Sequence, residues 1–227
     1  MRPALTLALL CLLAACARPL SVGERAFTAT IHGGALNTGP VRIHKGALIG
    51  DVVQTRQPRP ALTCREKIRR PETGPVRVST AAFVLFDRMF AAKQVYRDDY
   101  LADYPRAMSL SRAMFVAHEM THVWQWQNRH ITGYHPLKAA AEHGPGGDPY
   151  LFDLGENPDF LSFGYEQQGG IVEEFVCCRT LDPDGARTAR LNALLAPYFP
   201  ELARTSAVPR DRVTLPWDRA QTRGICA

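Results

Sequence analysis

Two histidines four residues apart with a glutamate between them, in His118-Glu119-Met120-Thr121-His122, are the residues of this chain whose types and spacing most directly describe chemistry. On a helix, positions four apart differ by only ~40° in direction, so both imidazoles can reach one metal ion from the same face. Glu119 projects roughly 100° away, where a carboxylate can take a proton from metal-bound water. This is the HExxH arrangement of hydrolytic zinc sites, and Zn2+ is the cofactor it implies. Surface helices with two histidines and a glutamate also exist, so the elements around the motif must decide.

Those elements favour a long, half-buried helix. Ser109 or Ser111 can cap its start, no proline or glycine interrupts it through Arg129, and Gly133 offers a stop. Ala113, Val116, Ala117, Met120, Val123 and Trp124 fall opposite His118 and form a core face. Ser111, Phe115, His122, Gln125 and Arg129 lie near the His118 direction, which gives the helix a mostly polar face toward a cleft.

A protein zinc site of this kind needs a third protein ligand and keeps one position for water. A metzincin would place glycine at 125 and histidine at 128, and the chain has Gln125 and Asn128 instead. The next source is a glutamate on a second helix. In 165–175, a helix would gather Ile171, Val172, Phe175 and Val176 on an apolar stripe and leave Glu166, Gly170 and Glu173 on the other side. Glu166 is the preferred ligand. Glu173, His135 and His143 remain alternatives, whereas His130 sits about 12 Å beyond His122 if their helix continues. Gly169 and Gly170 each weaken a helix by about 1 kcal/mol relative to alanine, and close approach of two helices is a reason to keep them.

These residues resemble a family of small bacterial zincin-like proteins, the Vgr-related metallopeptidases, which read HE-(L/M)-THVWQ and then, a few tens of residues on, EQQA and an acidic-aromatic stretch. The matching text is His118 through Gln125, Glu166-Gln167-Gln168-Gly169 and Glu173-Glu174-Phe175, with a similar lead-in from Tyr96 to Tyr100 and from Phe115 to Ala117. The resemblance covers residues 94 to 178. It implies a gluzincin-like site with His118, His122 and Glu166 as metal ligands and Glu119 as base. Gly169 replaces the usual alanine, and Gly170 stands where many gluzincins carry an aspartate, so the partners that orient the two histidines are not identified from sequence.

The N-terminus carries Arg2, an apolar run from Ala4 to Ala15, and Leu13-Ala14-Ala15-Cys16. The run is too short for a permanent membrane span and reads as a secretory signal. Its end resembles the bacterial lipobox, which implies lipidation of Cys16. A conventional cut after Ala15 or Ala17 is the alternative. By the same resemblance Ala17 favours the outer membrane, with the domain facing the periplasm and held by its acyl chains. Cys64, Cys177, Cys178 and Cys226 then remain for an oxidising compartment. Adjacent cysteines rarely bond to each other, so Cys177 and Cys178 pair separately with Cys64 and Cys226 in an order the sequence leaves open.

The expected architecture is mainly α with a small β component, an α+β zincin-like domain. Residues 1–15 form the lipoprotein signal peptide, 16–80 an irregular segment with short strands, and 81–227 the zincin-like domain. Ala26 to Ile31, Val41 to Ile43, Val76 to Ser79 and Gln94 to Tyr96 read as short strands. Thr80 to Ala92 reads as a helix burying Phe83, Phe86 and Phe90, and Pro136 to His143 and Asp184 to Ala196 as further helices. The glycine- and proline-rich stretch 144–158 reads as a loop at the cleft mouth. A strand beside the motif helix could pair with an extended substrate. A net charge of +5 is mild, and no nucleic-acid-binding module is visible. The expected activity is hydrolysis of peptide bonds in a peptide or protein substrate by a zinc-activated water, with Tyr134, Tyr150 and Tyr165 as candidate oxyanion donors. The alternative is a non-catalytic zinc-binding or secretion-system interaction module, with a secretion-system component as partner.

Overall fold

The computed structural model describes residues 17–46, 53–144, 147–155 and 159–227; the apolar leader and the Leu13–Cys16 box lie outside them. Its helices are α1 (Val22–His32), α2 (Cys64–Lys67), α3 (Leu110–Gln127), α4 (Arg129–Thr132), α5 (Pro136–Ala141), α6 (Tyr165–Leu181) and α7 (Ala186–Leu195). The strands are β1 (Ala17–Arg18), β2 (Arg42–Lys45), β3 (Val53–Arg56), β4 (Val76–Ser79), β5 (Ala82–Leu85), β6 (Arg88–Ala91), β7 (Met108–Ser109) and β8 (Val213–Thr214). Helix outweighs strand in this mixed α+β architecture. Among the described residues no helix is long and apolar enough to cross a membrane.

The two longest helices, α3 and α6, pack against each other and form the middle of the core. On α3 the six apolar positions expected to face inward are all buried. The helix starts at Ser109, whose side chain makes no capping bond, and stops at Asn128. The short helix α4 then ends at Gly133, whose φ of 64° supplies the left-handed cap. The expected continuous helix through Arg129 is therefore broken at Asn128, and His130 is exposed on the outer turn. On α6 the stripe of Ile171, Val172, Phe175 and Val176 is fully buried.

One side of this pair is covered by α1 and by a sheet ordered β1-β2-β6-β5. Strands β1 and β2 are antiparallel, β2 and β6 parallel, and β6 and β5 antiparallel. Strands from both sides of residue 80 thus share one sheet. The strand expected at Ala26 to Ile31 is instead the body of α1. Ser21 and Glu24 close a reciprocal capping box there, and Phe27 and Ile31, four apart, bury one helical face.

The helix expected over Thr80 to Ala92 is a β-hairpin. Phe83 and Phe90 lie opposite each other in the β5–β6 register and stack with centroids 4.9 Å apart. Phe86 sits at the turn with φ 60°, half exposed over Trp126. Phenylalanines at 83, 86 and 90 imitate a helical stripe, but the parallel pairing of β6 with β2, more than forty residues earlier, holds the backbone extended. The strand expected at Gln94 to Tyr96 is a turn in which the Val95 and Tyr96 amides both donate to the Ala92 carbonyl. The strands at Val41 to Ile43 and Val76 to Ser79, and the helices near 136 and 184, form with boundaries shifted by a few residues or fewer.

Two disulfides fix the cysteine order: Cys64 with Cys177 and Cys178 with Cys226. Each ties a distant segment to one turn of α6. Replacing Phe175 by alanine, in the middle of the buried stripe, should cost about 3–5 kcal/mol of unfolding free energy. A denaturant titration with both disulfides intact checks this, and a loss under about 1 kcal/mol would mean that the stripe does not organise the core.

Candidate metal centre

Three donors converge between α3 and α6. His118 Nε2 lies 3.1 Å from His122 Nε2 and 3.2 Å from Glu166 Oε2, while His122 Nε2 lies 3.5 Å from Glu166 Oε1. All three residues are buried. A tetrahedral zinc ion with bonds of 2.0–2.1 Å has its ligand atoms about 3.3–3.4 Å apart, so this triangle has the dimensions the ion requires. The donor set also fits, since two imidazoles and one carboxylate suit Zn2+. A further cluster of buried donors, Cys64, Cys178 and Cys226, has its sulfurs committed to disulfides.

The helices can approach this closely because of Gly169. A methyl group there would sit 2.6 Å from His118 Cε1 and 2.7 Å from His118 Nδ1, so only glycine leaves room for the ring. Glu166 is aimed by the start of its helix. The backbone amides of Tyr165 and Glu166 donate to the two carboxylate oxygens of Glu142, at 2.8 and 2.9 Å, which pins the first turn of α6. His143, next to Glu142, brings its Nε2 to 3.1 Å from Glu166 Oε1. It touches the Glu166 carboxylate and stands outside the three-donor cluster.

The tautomer of His122 follows from a relay of amides. Gln168 Nε2 donates to the Phe163 carbonyl at 2.8 Å, so Gln168 Oε1 accepts from Gln125 Nε2 at 2.9 Å. Gln125 Oε1 is then the acceptor for His122 Nδ1–H at 2.8 Å, which turns His122 Nε2 toward Glu166 and His118. On the other ring, His118 Nδ1 is buried without a hydrogen bond, and Glu173 Oε1 stands 3.6 Å from it. Sequence reasoning placed Gln125 on the His118 face but missed its hydrogen bond to His122, three residues earlier. It also missed Glu142 and Gln168, whose roles no local pattern announces.

The electrostatics match this geometry. Burial lowers the proton affinity of His122, but the charge and hydrogen bond of Glu166 outweigh it and raise its pKa to about 9. Burial acts to raise the Glu166 pKa, and the surrounding imidazoles overcome it and hold the carboxyl well below its usual range. Glu119 is pushed up by burial against the opposing pull of His118 and His122, and its Oε2 has no hydrogen-bond partner. A buried, unpartnered carboxylate beside the donor triangle is suited to proton transfer.

Among the tyrosines, Tyr150 places its ring 5.8 Å from that of His118, and Tyr134 lies 6.2 Å from His122. Burial, followed by the charge of Glu166, raises both phenols, so both are neutral donors at ordinary pH. The Tyr165 hydroxyl instead donates to the Gly133 carbonyl at 2.8 Å. His130 and His135 are exposed, and His135 caps α5. Residues 147–155 of the expected cleft-mouth loop carry Tyr150 to the site.

Comparison with protein-family models finds no match, and no curated protein matches the chain. Among solved structures, the chain is similar to the effector domain of Pseudomonas aeruginosa VgrG2b, with a TM-score of 0.48 and 21% identity over 79% of this chain and 82% of that one.

Gly169→Ala tests the geometry directly. Alanine is favoured over glycine in a helix by about 1 kcal/mol, so a purely structural glycine would be replaced at little cost. The added methyl group should instead displace His118 and weaken zinc binding about 10–100-fold, as loss of ligand orientation does. Zinc affinity measured by chelator competition checks this, and wild-type affinity in a folded Gly169→Ala protein would contradict the packing argument.

Proposed function

We propose that this protein is a zinc-dependent peptidase. The observation that carries the reading is the His118, His122 and Glu166 triangle with the unpartnered Glu119 carboxylate beside it. A zinc ion held by those three residues would supply Lewis acidity toward a carbonyl and bring the pKa of a bound water toward neutrality. Glu119 accepts the proton of the attacking water and delivers it to the departing amine, a transfer helped by a proton affinity above that of an ordinary carboxylate. Gln125 holds His122 in the ligating tautomer. Tyr150 and Tyr134, neutral and with their rings near the histidines, are the candidates to donate to the oxyanion that would develop on the carbonyl.

A peptide substrate is supported by the arrangement of the sheet. Strand β5 lies at its edge, paired with β6 on one side and packed against α3, and an extended backbone can add to such an edge. The Leu13-Ala14-Ala15-Cys16 box supports anchoring through a lipidated Cys16 at a periplasm-facing membrane. Two disulfides suit that oxidising compartment.

His118→Ala and Glu166→Ala should each abolish stoichiometric zinc binding. Glu119→Gln should keep the zinc and lose turnover by at least about 10²–10⁴-fold on a peptide-library substrate. Zinc content and turnover measured on one preparation separate chemistry from misfolding. A zinc-replete Glu119→Gln protein with wild-type turnover excludes Glu119 as the base. A zinc-replete wild type that cleaves no peptide favours a binding module on the same scaffold. Independently, Cys16→Ala should abolish incorporation of radiolabelled palmitate and release the protein from membranes, whereas an unlabelled, fully soluble wild type refutes the anchor.

A further inference from the structure

The face of α6 that carries Glu166 continues through Gly170, Glu173 and Cys177, at offsets of four, seven and eleven residues. Each of these positions meets α2, the short helix of Cys64–Lys67. Cys177 is bonded to Cys64. Glu173 Oε2 accepts from Arg65 Nη1 at 2.9 Å, and Gly170 leaves space for the same guanidinium, since a methyl group there would lie 2.7 Å from Nη1. Arg65 is 4% exposed and fully engaged, with Nε donating to Glu66 at 2.8 Å and Nη2 to the Tyr150 carbonyl at 2.7 Å. The amides of Cys64 and Arg65 donate to the buried carboxylate of Glu174, which also accepts from Arg187. The free oxygen of Glu173 is the one that stands 3.6 Å from His118 Nδ1.

A buried arginine placed so firmly has an evident structural use, but its contacts run toward the site from two directions. Through Glu173 it reaches the outer nitrogen of His118, and through the Tyr150 carbonyl it holds the segment that lays Tyr150 beside the same ring. We propose that Arg65 and Glu173 are positioning residues of the metal centre: Arg65, locked to α6 by the Cys64–Cys177 disulfide, fixes the Glu173 carboxylate that orients His118. This takes the place of the aspartate four residues beyond the ligand glutamate, where this chain has Gly170 to admit Arg65. The carboxylate comes from one turn further along α6, and its arginine from a segment a hundred residues away. The inference rests on the zinc reading above.

The test is zinc affinity by chelator competition, together with the visible absorption of the Co2+-loaded protein, whose bands report ligand geometry. Glu173→Ala and Arg65→Met should still bind one zinc ion but with Kd raised about 10–100-fold and with altered Co2+ bands. Glu173→Gln, which keeps shape and an acceptor oxygen, should fall between wild type and Glu173→Ala. Arg187→Met is the control: it removes an equivalent partner of Glu174 without touching Glu173, and should leave both readouts at wild type. If Arg65→Met does not fold, the comparison of Glu173→Ala with Glu173→Gln carries the test. Wild-type Kd and Co2+ bands in folded Glu173→Ala overturn this inference alone. A wild type that binds no zinc overturns the zinc reading on which it stands.

Discussion

The distance between α3 and α6 governs the site. The His118 ring lies so close to the α6 backbone that a methyl group at Gly169 would overlap it, and at that separation Glu166 comes within about one zinc coordination edge of both histidines. A wider gap would leave the HExxH imidazoles without their third partner. Two consecutive glycines in the middle of a helix cost stability on propensity grounds. Each admits one side chain, His118 against Gly169 and Arg65 against Gly170. Local preference gives way here to tertiary requirement.

Bringing three titratable groups into a buried cluster carries a desolvation cost that must be met by matched partners. The arrangement meets it by giving most members a polar neighbour: Gln125 for His122, His143 for Glu166, and Arg65 for Glu173, whose free oxygen faces His118. These partners are drawn from three separate segments. The disulfides hold α2 and the C-terminal segment against α6, so the helix that supplies Glu166 is tied to segments besides α3. Cross-links of long separation constrain the unfolded chain most, and a core opened by a polar cluster gains from that constraint.

How much of this was legible varied with the range of the interactions. The apolar faces of α3 and α6 were readable because a 3.6-residue period survives whatever the rest of the chain does; the half-buried α3 that was expected is instead buried all round from 116 to 125, since α6 covers its polar face. Thr80 to Ala92 was misread because Phe83, Phe86 and Phe90 satisfy the same period by accident. The hydrogen bonds that keep this segment extended come from β2, which no local window contains. Ala26 to Ile31 was misread for a different reason: the Ser21–Glu24 capping box lay just upstream of the window and outweighed the β-branched residues within it.

The sequence by itself determined which side-chain types could meet at the site. Two imidazoles at i and i+4 must share a helical face, and a helix over 165–175 puts Glu166 and Glu173 opposite its apolar stripe; covalent geometry likewise forbade an easy bond between Cys177 and Cys178. The tertiary structure decided which acidic group completes the triangle, the order of the disulfides, and the hydrogen-bond partners of Gln125, Glu142, Gln168 and Arg65. Those choices depend on distances between segments far apart in the chain. Periodicity fixes the direction of a side chain about its own helix axis, and only packing fixes how far that axis lies from the next.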